Sequence, residues 1–356
     1  MSIAVSFTKH LSSHTLEIDV NITENGVTAI FGPSGVGKTT LLRVIAGLEA
    51  VSNGRVRFGS QVWQQQSQLM PTHLRQVAMV FQQPSLFAHL NVENNIFYAK
   101  QINPQKFAQL NFNLQRLIDI FQLQPLLKRM PNSLSGGEQQ RVAIVRALAS
   151  QPKVLLMDEP LASLDDGLKQ QFIGYFETLL EQINIPVIYV THSKEEVARL
   201  STHLIMLDKG DVVAQGKTAD ISTDLLLPLA NASDAKCCVQ GTISQHLPQQ
   251  HLSQLNTSIG ELYVAMLAAP CHNKVSVLIF AKDVSITLSH QQDTSILNIL
   301  GATIVDFSFT EPGKVTVKLA IQGTYLLSQI TRKSFDDLAL TAGMNVFAQI
   351  KSIALG

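Results

Sequence analysis

Between an apolar run, Val27 to Phe31, and an apolar helical pattern at Leu41, Leu42, Ile45 and Leu48, the chain places Gly32-Pro33-Ser34-Gly35-Val36-Gly37-Lys38-Thr39-Thr40. The pattern G-x-x-x-x-G-K-T, set between a strand and a helix, leaves few folds open. Its glycines let the backbone curl so that successive N–H groups point inward, and the helix start adds the positive end of its dipole. The product is a seat for phosphate oxygens. Lys38 is placed to reach the outer phosphates, and the Thr39 hydroxyl to ligate Mg2+.

A second segment narrows the choice. Val154 to Met157 is an apolar run suited to a strand buried on both faces, and it delivers Asp158 and Glu159 at its carboxyl end. Doubly wound α/β sheets bind their ligands at that edge. Asp158 is expected to hold the metal, and Glu159 to orient and polarise an attacking water. The run "PVIYVTH" ends in the same way and brings His192 to the same edge, where it is expected to meet a γ-phosphate.

"LSGGEQQRVAIVRALA", from Leu134, predicts a helix. Ser135 and Glu138 have capping-box spacing, and Gln139 to Ala149 are good helix formers. Gly136 and Gly137 are out of place there, since each glycine within a helix costs about 0.8–1 kcal/mol relative to alanine. Their presence implies that something approaches the backbone closely.

Length and composition set outer limits. The 356 residues suffice for two or three domains, and 27 basic residues balance 27 acidic ones. Such a neutral chain is a poor candidate for a dedicated nucleic-acid binder, whose affinity usually rests on a basic face. Cys237, Cys238 and Cys271 form no C-x-x-C pair, so neither a zinc site nor a disulfide framework is indicated. No apolar run approaches the roughly 20 residues of a membrane span. A chain soluble in itself is expected.

Taken together, these motifs resemble the ATP-binding subunits of ABC transporters. The resemblance rests on Gly32–Thr39 (Walker A), Gln82 in "VFQQP" (Q-loop), Leu134–Glu138 (signature), Asp158 and Glu159 (Walker B), Asp165 in "SLDD" (D-loop) and His192 (switch), in family order over residues 1–230. It implies a P-loop α/β ATPase domain with a helical subdomain at about 84–135. It also implies ATP and Mg2+ as ligands, with Gln82 sharing metal and catalytic duties, and a second copy of the chain packed head to tail. In that pair Ser135, Gly136, Gly137 and Asp165 face the nucleotide held by the other copy. The family usually stacks adenine on an aromatic residue; within "FTKHLSSHTL" only Phe7, His10 and His14 could serve. The segment between Gln82 and the signature is expected to contact a membrane-spanning permease, with the Phe81–Phe87 neighbourhood exposed. Within it, Leu114, Leu117, Ile118 and Phe121 share one helix face. Glutamine-rich "QVWQQQSQLM" reads as a solvated loop.

Residues 217–236 lack a clear period and read as a link between domains. Beyond them "GELYVAML", "KVSVLIF" and "GKVTVKLAIQG" alternate as half-buried strands do. A weak repeat relates Gly241 to Gly301 and Lys282 to Lys351, which predicts an all-β region of two tandem OB-like barrels, 231–290 and 291–356. The second opens with "TSILN" and closes with "IKSIAL", and so resembles the small molybdate-binding (Mop-like) domain of molybdate importer ATPases. By matching position, Thr294, Ser295, Lys351 and Ser352 are the oxyanion candidates. The resemblance as a whole implies a peripheral ATPase on the cytoplasmic face of the inner membrane, energising a molybdate permease fed by an external binding protein. The alternative is an importer of another solute, such as sulfate, ferric ion, polyamine or sugar.

Overall fold

A computed structural model describes residues 2–23, 25–102, 104–108, 113–162, 164–180 and 182–355. Ser163, in the D-loop ahead of Asp165, lies outside them. The chain forms two compact units, 1–216 and 217–356.

The first unit opens with a hairpin, β1 (Ile3–His10) and β2 (Thr15–Ile22), whose residues alternate between core and solvent. There follow β3 (Val27–Phe31), α1 (Lys38–Ala46), β4 (Arg55–Phe58), β5 (Gln61–Gln65), β6 (Gln68–Leu69) and β7 (Val77–Val80). A helical stretch comes next: α2 (Val92–Ile96), α3 (Tyr98–Ile102), α4 (Pro104–Ala108), α5 (Leu114–Ile120) and α6 (Gly136–Ala149). The chain then returns through β8 (Val154–Asp158), α7 (Asp166–Leu180), β9 (Val187–Thr191), α8 (Lys194–Leu200), β10 (His203–Asp208) and β11 (Asp211–Lys217). Among the described residues these strands make one sheet, in the order β6-β5-β4-β1-β2-β11-β10-β3-β9-β8-β7.

The five strands from β10 to β7 run parallel, and the parity of their residues explains the layers. Val154, Leu156, Ile188 and Val190 face a core shared with Leu41 and Ile45 of α1. Leu155, Met157, Val187 and Tyr189 face the opposite core, with Leu117, Ile118 and Phe121 from the helical stretch and Phe172 and Phe176 from α7. Both sheet faces are covered, which is why these strands read as unbroken apolar runs. The glutamine-rich segment is no solvated loop. It forms β5 and β6, with Trp63 fully buried on Phe58 and Gln64 at 1% exposure donating to the Val51 carbonyl. Polar residues flanking Trp63 hide that strand from a composition count.

The second unit begins with two short helices, Thr218–Ser222 and Pro228–Asn231, where the sequence suggests a link. Leu225 and Ala230 from this segment join the apolar core of the β region. The first repeat supplies β12 (Lys236–Leu247), β13 (Leu252–Thr257), β14 (Gly260–Ala265), β15 (Lys274–Phe280) and β16 (Val284–Thr287). The second supplies β17 (Asn298–Glu311), β18 (Lys314–Ile321), β19 (Thr324–Thr331), β20 (Asn345–Ile350) and β21 (Ala354–Leu355). Two five-stranded sheets result among the described residues, β14-β13-β12-β15-β21 and β16-β20-β17-β18-β19. Each repeat thus gives its fifth strand to the other's sheet: β21 pairs with β15, and β16 with β20. The corresponding first strands β12 and β17 each carry a register shift, at Ile243/Gln245 and Ile304/Asp306.

Candidate nucleotide site and candidate oxyanion site

Register brings the predicted residues to one edge. Phe31 lies across from Thr191, Asp158 from Val190, and Val80 from Met157. The residues that follow these strand ends, Gly32, His192, Glu159 and the Phe81-Gln82 pair, therefore share the carboxyl rim of the sheet.

The loop 32–37 uses its glycines in two ways. Gly37 has φ 111, and a Cβ there would meet the Leu16 side chain at 2.7 Å, so the turn into α1 admits no side chain. Gly35, φ 79, faces open space at the exposed crest between Ser34 and Val36. Lys38 is 4% exposed, and its ammonium donates to the carbonyls of Gly32 and Pro33, both at 2.9 Å. It stands 3.5 Å from Glu159 Oε1. The Thr39 hydroxyl donates to Asp158 Oδ1 at 3.0 Å. Burial raises the Asp158 pKa, the Thr39 bond opposes it, Glu159 adds to it, and Lys38 and Arg43 offset it. A buried carboxylate beside a hydroxyl is a pair of hard oxygen donors of the kind Mg2+ selects, so the residues fit that ion. Thr40 follows in the first turn of α1, and Gln82 is exposed just past β7.

Glu159 is held in an unusual backbone state, with φ 43. A non-glycine residue there is strained by about 1–3 kcal/mol, and such strain gathers at functional sites. It is fixed by its N–H on the Val190 carbonyl at 3.1 Å and by its carbonyl, which accepts from the Ala162 N–H at 3.2 Å. The side chain is thereby aimed at the rim, where Oε2 lies 3.3 Å from His192 Nδ1. Beneath His192 sits a carboxyl that sequence reasoning passed over. Glu196, 6% exposed, accepts from Thr191 Oγ1 (2.7 Å) and Tyr189 Oη (3.0 Å), and Thr191 Oγ1 accepts from the Ser193 N–H at 2.9 Å. Burial raises the Glu196 pKa, and those two hydroxyls restrain the rise.

The signature helix starts as expected. Ser135 Oγ accepts from the Glu138 N–H (3.3 Å), and Glu138 Oε2 accepts from the Ser135 N–H (2.7 Å). The two glycines have different reasons. A Cβ on Gly136 would meet nothing within 4 Å, whereas one on Gly137 would lie 3.3 Å from Leu164 Cδ2, ahead of α7. Gly137 thus serves internal packing, and Gly136 leaves a bare approach from outside. Asp165 caps α7, its Oδ1 accepting from the Leu168 N–H at 2.9 Å. Gln140 and Arg146, both missed in the sequence, tie this helix to the segment after β7. Gln140 Nε2 donates to the Phe81 carbonyl (3.3 Å), and Arg146 donates to the Ser85 carbonyl (2.6 Å) beneath the Phe87 ring. Beside them opens a cavity of about 470 Å3 lined by Val80, Phe81, Phe87, Tyr98, Ile102 and Arg146. Phe81 is 38% exposed, while Phe87 is half-buried against Tyr98.

Of the three adenine candidates, Phe7 is buried in the β1–β2 core. His10 bonds Thr15 Oγ1 at 2.9 Å. His14 reaches the loop itself, with Nε2 3.2 Å from the Val36 carbonyl.

In the second unit, Asn298 pairs with Ile350, which brings "TSILN" alongside "IKS" at one sheet end. Thr294, Ser295, Lys351 and Ser352 are all exposed there. Asn298 is structural, its side-chain amide exchanging bonds with both backbone groups of Tyr263. Nothing in its sequence neighbours marks Asp283 as part of this cluster: Ser352 Oγ donates to its Oδ2 at 2.7 Å, and the Lys351 N–H to its carbonyl at 2.8 Å. Thr294 Oγ1 accepts from the Ile296 N–H at 3.2 Å.

Comparison with known proteins agrees with this geometry. Residues 16–162 match the ABC transporter family, and 294–355 match the TOBE domain. Solved structures with the same fold include cbiO1 from Clostridium perfringens, part of the ABC transporter complex cbiONQ (25% identity, 63% of this chain and 90% of that one, TM-score 0.53). A nucleotide-free ATP-binding cassette from an ABC transporter aligns similarly (25% identity, 64% and 96%, TM-score 0.54). Fold and site define an ATP-hydrolysing motor of the ABC class, joined to an OB-like β region. Relatives extend over nearly the full length. The molybdenum import ATP-binding protein ModC of Hahella chejuensis is 44% identical over 99% of this chain and 98% of its own. That of Albidiferax ferrireducens is 44% identical over 96% and 92%, and ModC 1 of Azotobacter vinelandii 39% over 99% and 98%. The chain belongs to this molybdenum import ATP-binding protein family. No described helix is long and apolar enough to cross a membrane.

Proposed function

We propose that this chain is the ATPase of a molybdate importer, working as a head-to-tail pair beneath a membrane permease at the cytoplasmic face of the inner membrane. The observation that carries the reading is similarity over nearly the whole length to ATPases named for molybdenum import, together with the Lys38–Glu159–His192 constellation at the sheet rim.

Residues 1–230 act as the motor and 231–356 as its oxyanion-responsive appendage. Backbone N–H groups of the loop from Gly32 to Thr40 receive the phosphates of ATP, and Lys38, already oriented by two carbonyls, meets the β- and γ-oxygens. Thr39 and Asp158, with Gln82, would hold Mg2+, which supplies charge neutralisation to the phosphates. Glu159 accepts a hydrogen bond from the attacking water and turns its lone pair toward the γ-phosphorus; the bond to ADP breaks as the new P–O bond forms. His192 steadies Glu159 and contacts the γ-phosphate. Ser135 and the bare backbone at Gly136 approach the γ-phosphate held by the other copy, with Asp165 at the same seam. His14, beside Val36, is the adenine-facing side chain. The cavity beside Gln82 receives a permease segment, so nucleotide and permease are read by adjoining residues.

Thr294, Ser295, Lys351 and Ser352 form the oxyanion site, in which Ser352 must exchange Asp283 for the ligand. Two measurements test the whole. Glu159→Gln should run as an ATP-dependent pair in gel filtration, with turnover reduced about 100-fold or more; turnover near the wild-type rate would remove Glu159 from its role. Calorimetry of the full chain should show binding of molybdate and tungstate but not sulfate. Absence of binding would return the transported solute to the wider set of anions, cations and sugars.

A further inference from the structure

α7 begins immediately after Asp165, and α8 immediately after His192 and Ser193. The two helices thus carry the groups assigned to opposite sides of the nucleotide problem: Asp165 toward the second copy, His192 toward the chain's own phosphate. Their facing sides are joined by a zigzag of directed bonds. Arg199 on α8 grips Glu177 on α7 through Nε (3.2 Å) and Nη2 (2.7 Å). Its Nη1 donates to Gln170 Oε1 on α7 at 2.7 Å. Gln170 Nε2 then donates back to Glu195 Oε1 on α8, again at 2.7 Å.

We propose that Arg199 and Gln170 are positioning residues that lock α7 to α8, so that the D-loop and the switch histidine change place together and the two nucleotide pockets fire in concert. This rests on the two-copy reading above. The argument is one of cost and direction. The Arg199 side chain is 2% exposed, with all three nitrogens committed. Sliding α8 along α7 would strand a buried guanidinium, which has no inexpensive alternative partner. Apolar packing alone would hold the helices together yet tolerate small slips; a forked guanidinium fixes register. Gln170 is exposed and contributes little to the core, so its amide serves the relay by joining Arg199 to Glu195 at the start of α8.

The test uses the full-length chain with Arg199→Met, Arg199→Lys and Gln170→Leu. The surface change Gln170→Leu guards against misfolding as an explanation. Expected is a Hill coefficient for ATP above 1 in the unaltered chain; Arg199→Met should lower it to about 1 and cut turnover about tenfold, with KM for ATP within about twofold. Lysine should restore part of both, and Gln170→Leu should show the same pattern more weakly. Unchanged turnover and cooperativity, in a protein whose Glu159→Gln form still pairs in ATP, would overturn the lock. So would a loss of activity that merely follows the unfolded fraction in a melting curve. If the Glu159→Gln form stays single in ATP, the two-copy reading falls first and the lock with it.

Discussion

Replacing Gly136 with alanine separates folding from function at one methyl group. Gly136 is the first residue of α6, its φ is not positive, and a Cβ would meet nothing within 4 Å. On propensity alone the substitution stabilises the helix by up to about 1 kcal/mol. In a domain of this size that corresponds to a Tm rise of about 2–4 °C. Function should move the other way. If the bare N–H at this helix start donates to a phosphate from the other copy, a methyl holds the oxygens off. Loss of a preorganised donor of that kind costs about 100- to 1,000-fold in turnover. Scanning calorimetry, filter binding of ATP to dilute protein and a phosphate-release assay read the three quantities. Expected are an unchanged or higher Tm, unchanged first-ATP binding and turnover down at least tenfold. Wild-type turnover in Gly136→Ala would refute the idea that the open space is reserved for phosphate. Gly137→Ala is the counterpart: it crowds Leu164, and its deficit should include stability.

Arg75 lies at the C-terminal end of α1, donating to the carbonyls of Val44, Ile45, Trp63 and Met70, and burial lowers its pKa to about 10. Arg75→Met should cost about 3 kcal/mol or more, because several buried acceptors lose their donor together; a urea midpoint shift near zero would contradict this. Glu196→Gln tests the carboxyl beneath His192. The folded pKa of Glu196 is raised, so the folded state holds its proton more tightly than the unfolded chain. That stabilisation is complete below the unfolded value of 4.5 and fades as pH rises through the raised one. Wild type should therefore gain Tm relative to Glu196→Gln on acidification from pH 7 toward 4.5, and a pH-independent difference would count against it. Asp283→Asn removes a carboxylate from Ser352 and should tighten molybdate binding by about threefold or more, allowing for solvent screening; weaker binding would mean that Asp283 helps to build the site.

The rim of the first unit was legible because its grammar is local. A strand, a glycine loop and a helix follow one another within Val27–Ala46, and the capping box needs only Ser135 and Glu138. Covered sheet faces announce themselves as apolar runs, as at Val154–Asp158. Groups that act across the fold gave no such signal. Arg75, Gln140 and Glu196 are polar residues whose partners lie far away or on another turn, and nothing in their neighbours marks them as buried. Trp63 was obscured by glutamines, and the helices at 218–222 and 228–231 are too short to establish a period. The repeat was visible at Lys282 and Lys351, but not the trade of β16 and β21, since β21 is only two residues long.

That trade has a consequence for assembly. Val277 and Leu278 pair with Leu355 and Ala354, separated from them by the entire second repeat, so the first sheet can be completed only once the chain extends through that repeat. Clipping or tagging residues 354–355 should loosen the earlier repeat as much as the later one. A polypeptide carrying a single repeat would have a strand to give and a gap to fill, the condition under which two copies clasp each other.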